Sequence, residues 1–226
     1  MEETTRRIEV DSLREVDSRW CRPAEWRGGA AVVLAPGAGA PMDHPFLAHM
    51  ARALCGRGFL TVRFDFPYQT AGRRAPDRAP VLEATWRAVA AAVRAEGPRC
   101  LVLGGKSMGG RIAAQVAAAG EPCDGLFFLG YPLHPPGRTE KLRDAPLRAL
   151  DRPLLFVQGE RDRLCDLGLL REILAGLTAP VTLHVIPEGD HSFKVPKRSG
   201  RTENEVWDEI ARVLGDWVAE VCAPQG

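Results

Sequence analysis

The chain has 226 residues, 45% of them apolar, enough for one large core, and no Ser/Gly/Pro-rich linker divides it. Thirty basic residues, 26 of them arginine, are balanced by 29 acids to leave a formal charge of +1, which excludes the strongly basic field of a nucleic-acid-binding protein. No run approaches the length of a membrane span, and the charged start Met1-Glu-Glu-Thr-Thr-Arg-Arg is followed by no apolar stretch, so a soluble, cytoplasmic protein without a membrane partner is expected.

One domain is expected over residues 1–226, with residues 1–29 as an N-terminal extension or edge strands. The polar, arginine-rich stretch from Ile8 to Trp26 predicts one or two short edge strands at most. Ala30 to Leu34 reads as a buried strand, Pro36 to Pro41 as a loop, and Phe46 to Arg57 as an amphipathic helix capped by Asp43, with Pro45 in its first turn. Thr61 to Phe64 is the next strand, followed by an arginine-rich loop from Pro67 to Pro80. Leu82, Trp86, Val89 and Val93 then repeat at helical spacing.

Cys100 to Leu103 is a short apolar strand, and Met108 to Ala119, rich in alanine and free of proline, is a helix. Strands Leu126 to Leu129, Leu154 to Val157 and Val181 to Ile186 alternate with a short helix before Asp151, a helix from Leu167 to Leu177, and a last helix from Glu203 to Val221. This alternation specifies an α/β fold, a mostly parallel sheet with helices on both faces. The six cysteines are dispersed without C-x-x-C spacing and read as core thiols, forming neither a disulfide framework nor a zinc site.

Between the Cys100 strand and the following helix lies Gly105-Lys106-Ser107-Met108-Gly109, a G-x-S-x-G pattern. Such a turn from strand to helix is so tight that the flanking positions must be small, and it pushes the serine hydroxyl out at the end of the sheet. The same letters overlap a phosphate-binding loop, G-x-x-x-x-G-K-[ST]. That motif needs glycine at position 100, where Cys100 stands, and apolar strand residues fill the place of its flexible loop. Ser107 is therefore the candidate nucleophile.

A serine hydroxyl needs an imidazole to take its proton, and the imidazole needs a carboxylate to orient it. Two further strand ends supply them, with Asp162 after the Leu154 strand and His191 after the Val181 strand. The chain order Ser107, Asp162, His191 is that of an α/β-hydrolase triad. Asp166 or Glu160 could replace Asp162 as the orienting acid. Of the other histidines, His184 lies within a strand and His49 within a helix, while His44 and His134 lie on loops that could border the site. The backbone N–H groups of Met108 and Ala38, with Gly37 as an alternative, are the expected oxyanion hole.

Five stretches, Leu34-Ala-Pro-Gly-Ala-Gly-Ala-Pro-Met-Asp43, Arg63-Phe-Asp-Phe-Pro-Tyr68, Gly104-Gly-Lys-Ser-Met-Gly-Gly-Arg111, Phe156-Val-Gln-Gly-Glu-Arg-Asp162 and Asp190-His-Ser-Phe-Lys-Val-Pro-Lys197, carry a resemblance. Together they resemble the small α/β-hydrolase family that groups many bacterial hydrolases with a testis-expressed vertebrate protein and a related subunit of the non-specific-lethal acetyltransferase complex. Dienelactone hydrolases are more distant relatives. The resemblance spans about Ala30 to Val221 and implies a serine hydrolase with no cofactor, and no metal ligand set is expected; one departure is Pro36, where many α/β-hydrolases carry histidine.

About 24 residues, Gly130 to Pro153, separate two strands where a lid would be inserted, too few for a large lid domain. The expected substrate is a small, accessible ester, thioester or lactone, with Lys106, His44, Tyr68 and His134 as candidate contacts. Positive charge at the mouth from Lys106, Arg73, Arg74, Lys194, Lys197 and Arg198 would favour an anionic substrate if those charges are not simply solvated. The competing expectation is a non-catalytic interaction module on the same fold.

Overall fold

The computed structural model describes residues 1–223. One sheet of eight strands runs through the molecule: β1 (Glu2–Asp11), β2 (Arg14–Arg22), β3 (Ala30–Ala35), β4 (Leu60–Phe64), β5 (Cys100–Lys106), β6 (Gly125–Leu129), β7 (Leu154–Gly159) and β8 (Val181–Ile186). Their order is β1-β2-β4-β3-β5-β6-β7-β8. β1 and β2 pair antiparallel and β2 joins β4 antiparallel, while every pairing from β4 through β8 is parallel. Among the described residues no helix is long and apolar enough to cross a membrane.

The period-2 alternation of each central strand divides its side chains between two cores. Ala31, Val33, Leu101, Leu103, Leu126, Phe128, Leu154 and Phe156 enter one, and Val32, Leu34, Val102, Phe127, Leu129, Leu155 and Val157 enter the other. Helices α3 (Ala79–Arg94), α4 (Met108–Ala118) and α5 (Leu167–Ala175) cover the first face; α1 (Pro45–Gly56) and α6 (Glu203–Val221) cover the second. With both faces covered the strands read as continuous apolar runs, and each fully buried Leu or Phe contributes about 1.5–3 kcal/mol.

Four details differ from the sequence expectation. The N-terminal strands are longer than predicted because few apolar residues mark them: Ile8, Val16 and Trp20 enter the core, while charged partners lie between them, Arg7 pairing with Glu15 at 2.7 Å, Arg6 with Glu96 at 2.6 Å, and the Arg6 guanidinium stacking over the Trp20 ring at 4.3 Å. His44, not Asp43, caps α1, its Nδ1 accepting the Phe46 N–H at 3.3 Å. Asp43 is engaged elsewhere, because the Arg63 guanidinium, 2% exposed, requires carboxylates and takes Asp43 at 3.1 Å and Glu3 at 2.8 Å.

The expected loop from Pro67 to Pro80 opens with a one-turn helix, α2 (Pro67–Thr70). Finally, the cysteines are not all free thiols. Cys100, at the start of β5, and Cys222, just past α6, form a disulfide with a Cα–Cα distance of 5.5 Å. They lie 122 residues apart, so local spacing gave no signal; Cys21, Cys55, Cys123 and Cys165 remain free.

Candidate active site

Ser107 caps α4 directly after β5, with φ 50° and ψ −114°, a conformation that costs a non-glycine residue about 1–3 kcal/mol. The flanking glycines allow it. A Cβ on Gly105 would strike the carbonyl of Ala35 on the neighbouring strand β3, and one on Gly109 would lie 2.6 Å from the carbonyl oxygens of Ala35 and Pro36. The pattern thus serves a close approach of the serine turn to the loop after β3.

His191 joins the other two members. Its Nε2 lies 2.9 Å from Ser107 Oγ and its Nδ1 lies 2.6 Å from Asp162 Oδ2. Because a carboxylate only accepts, Nδ1 carries the proton and Nε2 is free to accept from the hydroxyl. The Asp162 side chain has no solvent exposure, and its oxygens are filled: Oδ2 also accepts from Gln158 Nε2 at 2.6 Å, and Oδ1 accepts the Leu164 N–H at 2.8 Å. The alternative acids do other work. Asp166 caps α5 by accepting the Leu169 N–H, and Glu160 accepts the Glu188 N–H.

The loop after β3 brings Gly37, Ala38 and Ala40 to the wall of the cavity that holds Ser107 and His191. Among the described residues, the N–H groups of Ala38 and Met108 take no acceptor in the loop, cap and side-chain hydrogen bonds, while their neighbours do: Gly39 N–H donates to Tyr68 Oη at 3.2 Å and Ala40 N–H to the Gly37 carbonyl at 3.3 Å. Gln69 Nε2 donates to the Ala40 carbonyl. The one-turn helix α2 therefore holds this loop from behind.

The cavity measures about 600 Å³ and runs from Ser107 between the start of α1 and the start of α6. His44, Pro45, Phe46 and Leu47 form one wall; Trp207 and Glu203 form another, with Leu164, Ser192 and Lys194 at the sides. His44 is thus where the sequence suggested, but two other candidate contacts are not. Tyr68 is fully buried and supports Gly39, and burial raises its phenol above the usual tyrosine range. His134 is also buried, its Nε2 accepting the Asp166 N–H at 2.9 Å and its Nδ1 lying 2.9 Å from the Pro135 carbonyl, so it braces the loop carrying Asp162.

Lys106 lines the cavity, and its ammonium donates to the His191 carbonyl at 2.6 Å and sits 5.2 Å from the centre of the Phe193 ring. Burial pulls its pKa down to about 8, against the opposing attraction of Asp162 and Asp190. Arg73 is paired with Asp77 and Arg198 with Glu188, so of the expected mouth cations Lys194 is the other one at the cavity. No motif marks Gln158, although a glutamine inside the apolar run Leu154-Leu-Phe-Val-Gln is itself a signal, since a fully buried amide must be hydrogen-bonded.

The lidless α/β serine hydrolase from Xanthomonas campestris superposes with a TM-score of 0.75 at 23% identity, covering 100% of this chain and 97% of that one. An α/β serine hydrolase homologue from Coxiella burnetii matches with a TM-score of 0.75 at 20% identity, covering 94% of this chain and 96% of that one. The dienelactone hydrolase from Anabaena variabilis matches with a TM-score of 0.75 at 18% identity over 97% of both chains. These likenesses establish a lidless α/β-hydrolase fold. Residues 28–219 match the model of a family described as the alpha/beta hydrolase domain, and the chain belongs to that family.

Proposed function

We propose that this protein is a serine hydrolase that cleaves a small ester, thioester or lactone through an acyl-enzyme. The observation that carries the reading is the bridging position of His191, 2.9 Å from Ser107 Oγ and 2.6 Å from Asp162 Oδ2. Ser107 Oγ attacks the substrate carbonyl carbon as its proton passes to His191 Nε2, and the carbonyl π pair moves onto oxygen. The N–H groups of Met108 and Ala38 receive that oxyanion. Collapse expels the leaving group, which takes the proton from His191, and leaves an acyl ester on Ser107. Water then attacks with His191 as base, releasing the acid and restoring Ser107.

Asp162 holds the imidazole in the tautomer this sequence needs, and Gln158 and Leu164 hold Asp162. The cavity has an apolar wall of Phe46, Leu47 and Trp207 and no lid over it, which suits a small apolar acyl or leaving group. With Arg73 and Arg198 ion-paired, Lys194, His44 and Glu203 are charged or titratable groups at the cavity that could meet a substrate's polar substituent. The resemblance to a family with a scaffold-like complex subunit keeps an interaction role in view, but an assembled Ser107, His191 and Asp162 favours catalysis.

Labelling with a fluorophosphonate probe tests the reading. Stoichiometric modification at Ser107, suppressed in Ser107→Ala and His191→Ala, is the expected result; a folded wild-type protein that stays unlabelled would overturn it.

A further inference from the structure

The base reaches Ser107 over a long distance in the sheet. β5, which carries Ser107, and β8, which precedes His191, are separated by β6 and β7. At the spacing of adjacent strands that is about 14 Å to be crossed by the segment after β8. That segment is irregular. Glu188 and Phe193 both have positive φ, 55° and 63°, without being glycine, so the local sequence does not favour the conformation by itself. Asp190 Oδ1 gathers the N–H groups of Ser192 and Lys194 at 2.8 and 2.9 Å, and the Arg161 N–H holds the Gly189 carbonyl at 2.7 Å. These bonds tie the segment to itself and to the loop after β7, and none of them fixes it relative to Ser107.

We propose that Lys106 is a positioning residue whose ammonium, through the His191 carbonyl, holds the base segment in register with the nucleophile next to it in sequence. Three observations carry this. The Lys106 Nζ donates to the His191 backbone oxygen at 2.6 Å, so one residue from β5 fixes the backbone of the residue that must meet Ser107 Oγ. The path is cleared for it: Gly130, just past β6, has φ 72°, and a Cβ there would lie 2.9 Å from the ammonium and 3.4 Å from the His191 oxygen. The Phe193 ring lies 5.2 Å from the cation, giving the charge a second partner on the same segment.

A substrate-binding role for the ammonium fits less well. Its charge is already engaged by the His191 carbonyl and by the Phe193 ring. Nor does the positive charge favour the imidazolium that forms on His191, because like charges repel. Holding the segment in place is the contribution that remains, and a charged donor makes a stronger bond to a carbonyl than a neutral one. The groups facing the ammonium are Asp162 from the loop after β7 and Asp190 and His191 from the segment itself. Farther along the cavity stand His44 at the start of α1, Lys194 on the segment, and Glu203 on α6.

This inference rests on the serine hydrolase reading, and its test separates the two. The rate of fluorophosphonate labelling and the kcat and KM for p-nitrophenyl acetate are measured from about pH 7 to pH 10 for wild type, Lys106→Met and Lys106→Gln, with Ser107→Ala as background. Misplacement of the base should lower kcat by about 10- to 100-fold in Lys106→Met with little change in KM. Lys106→Gln, which keeps a neutral donor, should recover part of the loss. The wild-type rate should fall as the ammonium deprotonates near pH 8, and Lys106→Met should lack that fall. Folded Lys106→Met and Lys106→Gln variants that both react at the wild-type rate overturn the proposal, and the triad reading then stands. Absence of labelling in the wild type itself would instead remove the triad reading.

Discussion

Gln158 and Asp162, four residues apart across the end of β7, are joined by a 2.6 Å hydrogen bond from the glutamine amide to Oδ2, the oxygen that also receives His191 Nδ1. The other end of the same amide, Oε1, accepts the Tyr131 N–H at 2.9 Å, so one fully buried side chain links the strand end of β6 to the acid. Replacing it removes both contacts at once. Gln158→Leu should lower kcat about 10-fold, because Asp162 loses a donor that fixes its plane, and lower stability by about 1–3 kcal/mol because the Tyr131 N–H is left without an acceptor. Steady-state kinetics and urea unfolding check it; a variant equal to wild type in both would mean that the amide does not orient the acid.

Ser107 carries a second, opposite relation between stability and chemistry. Its φ of 50° and ψ of −114° are accessible to glycine and strained for any residue with a Cβ. Ser107→Gly should therefore be more stable than Ser107→Ala by about 1 kcal/mol, a Tm difference of about 2–4 °C for a chain of this size, although alanine exceeds glycine at most positions. Neither variant should react with a fluorophosphonate. If the alanine variant melts higher, the strain assigned to the elbow is not there.

Both predictions depend on the same feature, that strand ends were legible in the sequence and the links between them were not. The apolar runs Ala30 to Leu34, Leu126 to Leu129 and Leu154 to Val157 identify the central strands because both faces of each are buried, and Ser107, Asp162 and His191 stand out because each follows such a run. The destination of the Lys106 ammonium depends on sheet order, which brings β8 within reach only after β6 and β7 are placed. Tyr68 and His134 look like loop residues available to a substrate until α2 and the Asp166 turn bury them. β1 was hidden for a different reason: its side chains are mostly exposed and its partners are charges, so no apolar period marks it.

The buried lysine should also leave a mark on stability. Lys106 titrates near pH 8 in the fold, against 10.5 as its ordinary value, because burial disfavours the charged form. Below the folded pKa both states are protonated and the desolvation penalty is present in full. Between the two values the unfolded chain binds a proton that the fold does not, so stability attributable to Lys106 rises with pH across that window and is constant above it. Tyr68 and Cys55 act in the opposite sense, since burial raises both, Cys55 to about 12. The difference between wild type and Lys106→Met isolates the lysine. That difference, from urea midpoints at several pH values, should move in favour of wild type between about pH 8 and pH 10.5. A pH-independent difference would show that the fold leaves the Lys106 ammonium at its ordinary pKa.

The Cys100–Cys222 bridge fastens the end of α6 to the first residue of β5. α6 lies on the face of the sheet that also carries α1, and its start supplies Glu203 and Trp207 to the cavity. Breaking the bridge releases the helix at its far end only. Val206, Ile210, Leu214 and Val218 remain buried, so the helix should stay docked and the cavity intact. Cys222→Ser should then lower unfolding stability by about 2–4 kcal/mol, through the freedom that a loop of this length regains in the unfolded chain, while labelling at Ser107 proceeds at the wild-type rate. Urea unfolding with and without reductant measures the first part, since reductant should bring wild type down to the level of the variant. A variant that loses labelling as well would mean that α6 is held by the bridge rather than by its apolar face, and that the Trp207 wall of the cavity moves with it.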